Sequence, residues 1–158
     1  REMNDFLAKI PQKRKVKERL PRAERKGQIA ELDTSIPHSL DEDFSGKSPF
    51  AVFIGKNYHN QEKSWSEMYI HICQYLFNID ANKFSSLLNN NEFENTHGVS
   101  YFSKRVDNFR RYAEIADGIF ADINLSATSI CKRIQKIFNY YAIPHSEMKI
   151  YLSKDRNA

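Results

Sequence analysis

Glycine is scarce in this chain of 158 residues, which has only five. None of the five falls in a G-x-G-x-x-G or a G-x-x-x-x-G-K-[ST] pattern. Such patterns let backbone N–H groups approach a phosphate closely, so their absence argues against the common nucleotide-binding loops. The nearest match is SGKS at 45–48, where Asp41 stands in place of the first glycine and no helix is expected to follow.

Cysteine is scarcer still. Cys73 and Cys131 fall in predicted helices, and together with the scattered histidines they form no recognisable zinc pattern. We therefore expect two buried free thiols in a reducing compartment, and no metal or other cofactor. No apolar run approaches the roughly 20 residues of a membrane-spanning helix, and the charged first residues do not resemble a signal peptide. These absences favour a cytoplasmic protein without a membrane partner.

Positive charge is concentrated at the N-terminus. Residues 1–29 hold ten Lys or Arg and four Asp or Glu, a net charge of +6, whereas residues 30–158 hold fourteen and sixteen, a net charge of −2. The cluster KRKVK at 13–17 is of a kind that binds phosphates, which makes Lys13, Arg14 and Lys15 candidate nucleic-acid contacts. A solvated linker to an upstream domain remains the alternative interpretation of this arm.

The segment 33–49 separates the arm from the rest of the chain. It is rich in Ser, Pro, Asp and Gly and shows no apolar periodicity, which predicts a loop or linker. We therefore divide the chain into a basic arm and linker at 1–47 and a compact domain at 48–158.

Helix caps and apolar spacing predict the elements of this domain. A capping box at Ser64 begins one helix, Asp80 caps a second, and Asn124 or Ser126 caps a third. The strand-like segments are 50–54 with a hairpin partner, 99–103, 119–123 and 148–152. The order β-β-α-α-β-β-α-β predicts an α+β fold, with a small, mostly antiparallel sheet packed against two or three helices.

The cations of the domain form two groups along the chain. The first group is Lys104, Arg105, Arg110 and Arg111, interleaved with aromatic residues, and the second, beside the apolar stripe of the third helix, is Lys132, Arg133 and Lys136. Lys and Arg neutralise phosphates, and bases stack on aromatic rings. If both groups share one face, they form a basic patch for DNA or RNA. The alternative is that the aromatic residues are core and the cations an ordinary solvated surface.

A metal-dependent nuclease is a further hypothesis. Glu147 and Lys149 form an E-x-K pattern at the start of the last predicted strand, and Asp122 ends an earlier strand. Two carboxylates hold a hard cation, and a nearby lysine assists the attacking water. Ordinary surface charges explain the same residues. Nucleophilic catalysis has less support, because His71 and Cys73 lie two residues apart and do not share a helix face.

Three segments carry a resemblance to a known family. They are SWSEMYIHICQYLFNIDANKF, YFSK and GIFADINLSATSICKRIQKIFNYYAI. Their caps, core aromatics and strand starts resemble a small C-terminal α+β accessory module of bacterial restriction, defence and DNA-processing proteins. The resemblance covers about residues 49–152 and leaves out the basic arm. It implies an accessory role near nucleic acid and no catalytic residue.

The sequence thus predicts a non-enzymatic accessory domain that contacts nucleic acid through a basic patch, as part of a larger DNA-processing or defence protein. The alternative is a protein-interaction or oligomerisation domain that binds another protein, or an upstream domain of the same chain, through aromatic residues such as Trp65, Tyr140 and Tyr141. The nuclease is the third hypothesis.

Overall fold

The computed structural model describes residues 36–153, so the arm cluster Lys13, Arg14 and Lys15 lies outside the described residues. The described chain divides into two compact units. The first unit comprises 36–64 and 143–153, and the second comprises Trp65–Ala142. Helices and antiparallel strands both occur, which confirms the predicted α+β class.

The elements alternate irregularly between strand and helix. In chain order they are β1 (Pro49–Ile54), β2 (Tyr58–Gln61), α1 (Trp65–Ile79), α2 (Ala81–Ser86), β3 (Phe102–Ser103), β4 (Tyr112–Ala116), β5 (Ile119–Asp122), α3 (Ala127–Tyr140) and β6 (Met148–Leu152). Short 3-10 turns follow α2 at Leu87–Asn89 and precede β6 at His145–Glu147. None of the helices in 36–153 has both the length and the apolar character needed to cross a membrane.

The first unit is built on an antiparallel sheet with the order β2-β1-β6. The segment predicted as a linker contributes to it, because His38 exchanges two backbone hydrogen bonds with Ile150, at 2.8 and 2.9 Å. Leu40 and Phe44 are each only 1% exposed. The folded part of the chain therefore includes residues before position 48. The segment is mostly polar and contains two prolines and a glycine, which is why the sequence predicted only a loop.

The second unit packs α1, α2 and α3 with an antiparallel sheet of order β3-β5-β4. Two of the predicted helix caps are confirmed by their hydrogen bonds. Asp80 Oδ1 accepts the Lys83 N–H at 3.0 Å, and Ser126 Oγ accepts the Ser129 N–H at 3.1 Å. These side chains satisfy helix N–H groups that have no partner within the helix.

The structure adds two details to the predicted topology. Within 36–153 the strands form two three-stranded sheets, and β4 is not among the strand-like segments predicted from the sequence. Strand β4 reads YAEIA, and Ile115 is its one fully buried residue. A strand at the edge of a sheet with two alanines lacks the alternation of large apolar and polar residues that reveals strands in a sequence.

Gly55 offers a test of the β1–β2 turn. Its φ is +57°, a left-handed conformation that costs an L-residue about 1–2 kcal/mol. An alanine Cβ at this position would also lie 2.6 Å from Glu147 Oε1, but that atom ends a flexible side chain and can move away. We therefore expect Gly55→Ala to lower the free energy of unfolding by about 1–2 kcal/mol in urea denaturation.

Two further variants distinguish the two possible causes of this loss, which are the backbone conformation of residue 55 and the contact with Glu147. Gly55→Asn should cost less than Gly55→Ala, because asparagine tolerates the left-handed region better. Glu147→Ala should not restore the stability of Gly55→Ala. A full restoration would show that the contact with Glu147, rather than the backbone conformation, causes the loss.

Candidate nucleic-acid interface

The strand register places the first predicted group of cations at two ends of the second sheet. Ser103 at the end of β3 pairs with Phe120 near the start of β5, whereas Tyr112 at the start of β4 pairs with Asp122 at the end of β5. Lys104 and Arg105 therefore leave the sheet at one end, and Arg110 and Arg111 enter it at the other. Their closeness in sequence does not make them one cluster in space.

The four cations also differ in their pairing. Arg105 forms an ion pair with Asp107 at 2.7 Å, and this contact lowers the pKa of the Asp107 carboxyl. Both side chains are solvent-exposed, so the pair adds little stability, but Asp107 offsets the attraction of Arg105 for a phosphate. Lys104, Arg110 and Arg111 are exposed.

Arg133 is buried, although the sequence analysis placed it among the candidate surface cations of the third helix. The sequence placed it beside the apolar stripe of α3, but its side chain is only 6% exposed. Its guanidinium carbon lies 3.9 Å from the centre of the Tyr101 ring, a stacking contact that stabilises a cation away from water. Arg133 is therefore not available to a phosphate at the surface.

The Tyr69 hydroxyl is a second buried neighbour of Arg133. The Arg133 Nη1 atom and the Tyr69 hydroxyl are buried and have no hydrogen-bond partner among the described residues. Burial raises the pKa of the Tyr69 hydroxyl well above its ordinary value, while the charge of Arg133 acts in the opposite direction. The hydroxyl thus stays protonated, and the positive charge rests mainly against aromatic rings.

Lys132 and Lys136 lie one turn apart on the exposed side of α3. The Lys136 ammonium donates a hydrogen bond to the Glu92 carbonyl and lies 5.5 Å from the Phe93 ring centre and 5.7 Å from that of Tyr101. Helix α3 contains no Asp or Glu, and the whole stretch 123–146 is free of them. The two exposed lysines of α3 therefore have no acidic residue on their own helix.

Part of each group of cations lies toward the same end of the second sheet. Asp122 N–H donates to the Tyr101 carbonyl at 3.3 Å, and Ile123 N–H donates to the Arg111 carbonyl at 3.0 Å. Because neighbouring strands are about 4.8 Å apart, Tyr101 and Arg111 flank β5 at roughly 10 Å from each other. Lys136 lies beside Tyr101. We call this region the basic end and define it by its exposed cations: Arg110, Arg111, Lys132 and Lys136.

Acidic and aromatic side chains border the basic end. Asp122 Oδ1 accepts the Asn124 N–H at 3.1 Å, and Glu92 is exposed beside Lys136. Sequence reasoning missed Lys83, whose ammonium lies 5.2 Å from the ring centre of Tyr140. Lys83 lies in a different helix and carries no pattern that links it to α3, so only the tertiary contact reveals it.

The aromatic residues of the interaction hypothesis are partly used inside the second unit. The Tyr140 hydroxyl shares a 2.6 Å hydrogen bond with Ser86 Oγ. The Tyr141 hydroxyl donates to the carbonyls of Leu76 and Asp80, at 2.9 and 3.1 Å. Trp65 is half-buried. The hydrogen bonds of the two tyrosines hold the end of α3 against the end of α1 and against α2.

Both cysteines are free and buried, as predicted. Burial raises the pKa of the Cys131 thiol to about 12 and raises that of Cys73 further. A thiolate is the reactive form of cysteine, and at neutral pH both buried thiols stay protonated. Their role in the described structure is to fill the core.

The residues of the nuclease hypothesis are divided between the two units. Asp122 belongs to the second unit, whereas Glu147 and Lys149 belong to the first. The Lys149 ammonium lies 3.4 Å from the Ser146 carbonyl. Within 36–153 there is no group of three or more His, Cys, Asp or Glu side chains arranged to hold a metal ion.

Comparisons of this chain with family models, with curated proteins and with solved structures find no match.

Proposed function

We propose that this chain is a non-enzymatic accessory domain that contacts nucleic acid, and that it works in the cytoplasm as part of a larger bacterial DNA-processing or defence protein. The observation that carries the proposal is the basic end. There Arg110 and Arg111 enter the sheet on the other side of β5 from Tyr101. Lys136 contacts Tyr101, and Lys132 lies one turn from Lys136 on α3.

The chemistry of these residues suits a phosphate backbone. Exposed Lys and Arg neutralise phosphates and release their counterions, which makes such binding strongly dependent on salt. Contacts of this kind position a protein on nucleic acid without reading the sequence. The arm cluster at Lys13, Arg14 and Lys15 remains a further predicted contact, and Lys104 and Arg105 are predicted to contribute at the other end of the sheet.

Removal of two cations from the basic end tests the proposal. We expect the double variant Arg110→Ala, Arg111→Ala to bind a labelled DNA duplex about tenfold or more weakly at low salt. The slope of log K against log salt should also become shallower by about 0.9 for each phosphate that the variant no longer neutralises. Fluorescence anisotropy titrations at several salt concentrations measure both quantities.

A matched control removes the same charge elsewhere. Lys47 and Lys56 are exposed residues of the first unit, and the double variant Lys47→Ala, Lys56→Ala should keep both the affinity and the slope. An equal loss of affinity in the two double variants would show that only net charge matters. If the parent chain does not bind even at low salt, the proposed function is wrong.

A further inference from the structure

The second sheet has one buried face and one open face. Phe102, Ile115, Ile119 and Ala121 on the first face are all buried. Directly paired residues of antiparallel strands point to the same side, so the pairs Tyr112–Asp122, Glu114–Phe120 and Ser103–Phe120 define the other face. Every residue of these pairs is exposed or half-buried. We call this set the open face: Ser103, Tyr112, Glu114, Phe120 and Asp122.

Two aromatic rings lie on the open face. Tyr112 is 49% exposed, which makes it one of the most exposed large apolar side chains in the described structure. Phe120 lies beside it in the central strand and is half-buried. Their ring centres are 5.9 Å apart, at an angle of 87°. The edge-to-face contact holds the pair in place while leaving ring surface accessible to solvent.

Cations flank these rings along the chain. Arg110 and Arg111 immediately precede Tyr112 at the basic end, and Lys104 immediately follows Ser103 at the opposite end of the sheet. Four residues of β-strand span about 13 Å, which separates the two ends. Exposed aromatic rings between groups of cations are the combination with which proteins hold single strands, since every base has a face that stacks.

Two carboxylates share the open face and constrain how a nucleic-acid strand would lie on it. Glu114 accepts the Gly118 N–H at 3.0 Å, and Asp122 accepts the Asn124 N–H. Both repel phosphates, although carboxylates accept hydrogen bonds from the amino groups of bases. The sugar-phosphate backbone is therefore favoured at Arg110 and Arg111, with the bases over the rings.

We propose that the open face binds the unpaired bases of single-stranded nucleic acid, with Tyr112 and Phe120 as stacking partners. This inference rests on the proposed function and makes it more specific, because a duplex buries the faces of its bases and cannot use the rings. Charge complementarity at Arg110 and Arg111 selects a nucleic acid as the occupant in preference to an apolar protein surface.

The experiment compares one labelled oligonucleotide as a single strand and as a duplex, by anisotropy with the full chain at low salt. The single strand should bind at least about fivefold more tightly. Tyr112→Ala should weaken single-strand binding by about fivefold to 100-fold, the range expected for loss of one stacked base, and should leave duplex binding unchanged. Tyr112→Phe keeps the ring and should retain the affinity.

Phe120→Leu provides a second variant that keeps an apolar side chain on the sheet but removes the aromatic ring. It should weaken single-strand binding in the same direction as Tyr112→Ala. Equal affinity for the two forms, or no change in Tyr112→Ala, would overturn this inference and leave the proposed function standing. Absence of binding to either form would overturn both.

Discussion

Replacement of Phe102 by alanine is expected to lower the free energy of unfolding by about 3–5 kcal/mol, the usual cost of truncating a buried phenylalanine. Phe102 is fully buried. Its ring centre lies 4.8 Å from that of Phe84 and 6.2 Å from that of Tyr69. These neighbours come from α2 and α1, so one side chain of the short strand β3 holds together three elements of the second unit.

The size of the effect follows from the stiffness of the site. A cavity costs most where the surrounding groups cannot collapse into it, and the neighbours of Phe102 are planar rings held on regular elements. A small domain has only about 5–15 kcal/mol of total stability. Phe102→Ala should therefore move the urea midpoint strongly, as measured by circular dichroism.

Phe77 is the matched control for this change. It also contacts Phe84, with ring centres 6.0 Å apart, but it is half-buried. Phe77→Ala removes the same atoms while leaving a site that water can fill, so we expect it to cost about 1–2 kcal/mol. Equal losses of stability for the two variants would contradict the view that Phe102 is the centre of this aromatic cluster.

The parts of the fold that could be predicted from the sequence are those decided by neighbouring residues. A cap acts over three residues, so Asp80 and Ser126 were identified together with the helices they begin. Ser64 likewise directly precedes α1. An apolar stripe was predicted for the third helix, and its Ile130 and Ile134, four residues apart, are both buried, because helical periodicity is a local property.

The parts that could not be predicted depend on contacts between distant residues. Strand β4 is stabilised by its pairing with β5, and its own composition favours a loop as much as a strand. Leu40 and Phe44 are buried in a unit that combines residues 36–64 with residues 143–153. The spacing of neighbouring residues does not show that two such distant segments belong to one unit. The division of the strands into two sheets has the same origin.

The candidate interface shows the same limit. Arg110 and Arg111 were identified by their charge, but their separation from Lys104 and Arg105 follows from the register of β3 and β4 on β5. Tyr101 contacts Arg133 and Lys136 of the second group, and only the tertiary structure reveals these contacts. Charge can be read from the sequence, whereas the surface that a charge reaches is set by strand pairing.

Arg133 gives the second large expected effect, and its sign depends on the replacement. Burial of a charge is costly unless a partner compensates for it, and the partners of Arg133 in the described structure are aromatic. Arg133→Met keeps most of the side-chain volume against Tyr101 and removes the charge. We expect it to be at least as stable as the parent chain. Arg133→Ala leaves a cavity and should be about 2–3 kcal/mol less stable than Arg133→Met.

The same two variants separate the structural role of Arg133 from a role in binding. Because its guanidinium is buried, Arg133→Met should keep its affinity for DNA within about twofold, whereas removal of the exposed cations of the basic end should weaken binding to phosphates. Urea denaturation and anisotropy on the same protein samples provide both measurements. A destabilisation of more than about 2 kcal/mol in Arg133→Met would mean that the charge has an acceptor that compensates for its burial. A tenfold weaker affinity at unchanged stability would instead mean that the guanidinium reaches the nucleic acid, which the stacking on Tyr101 opposes.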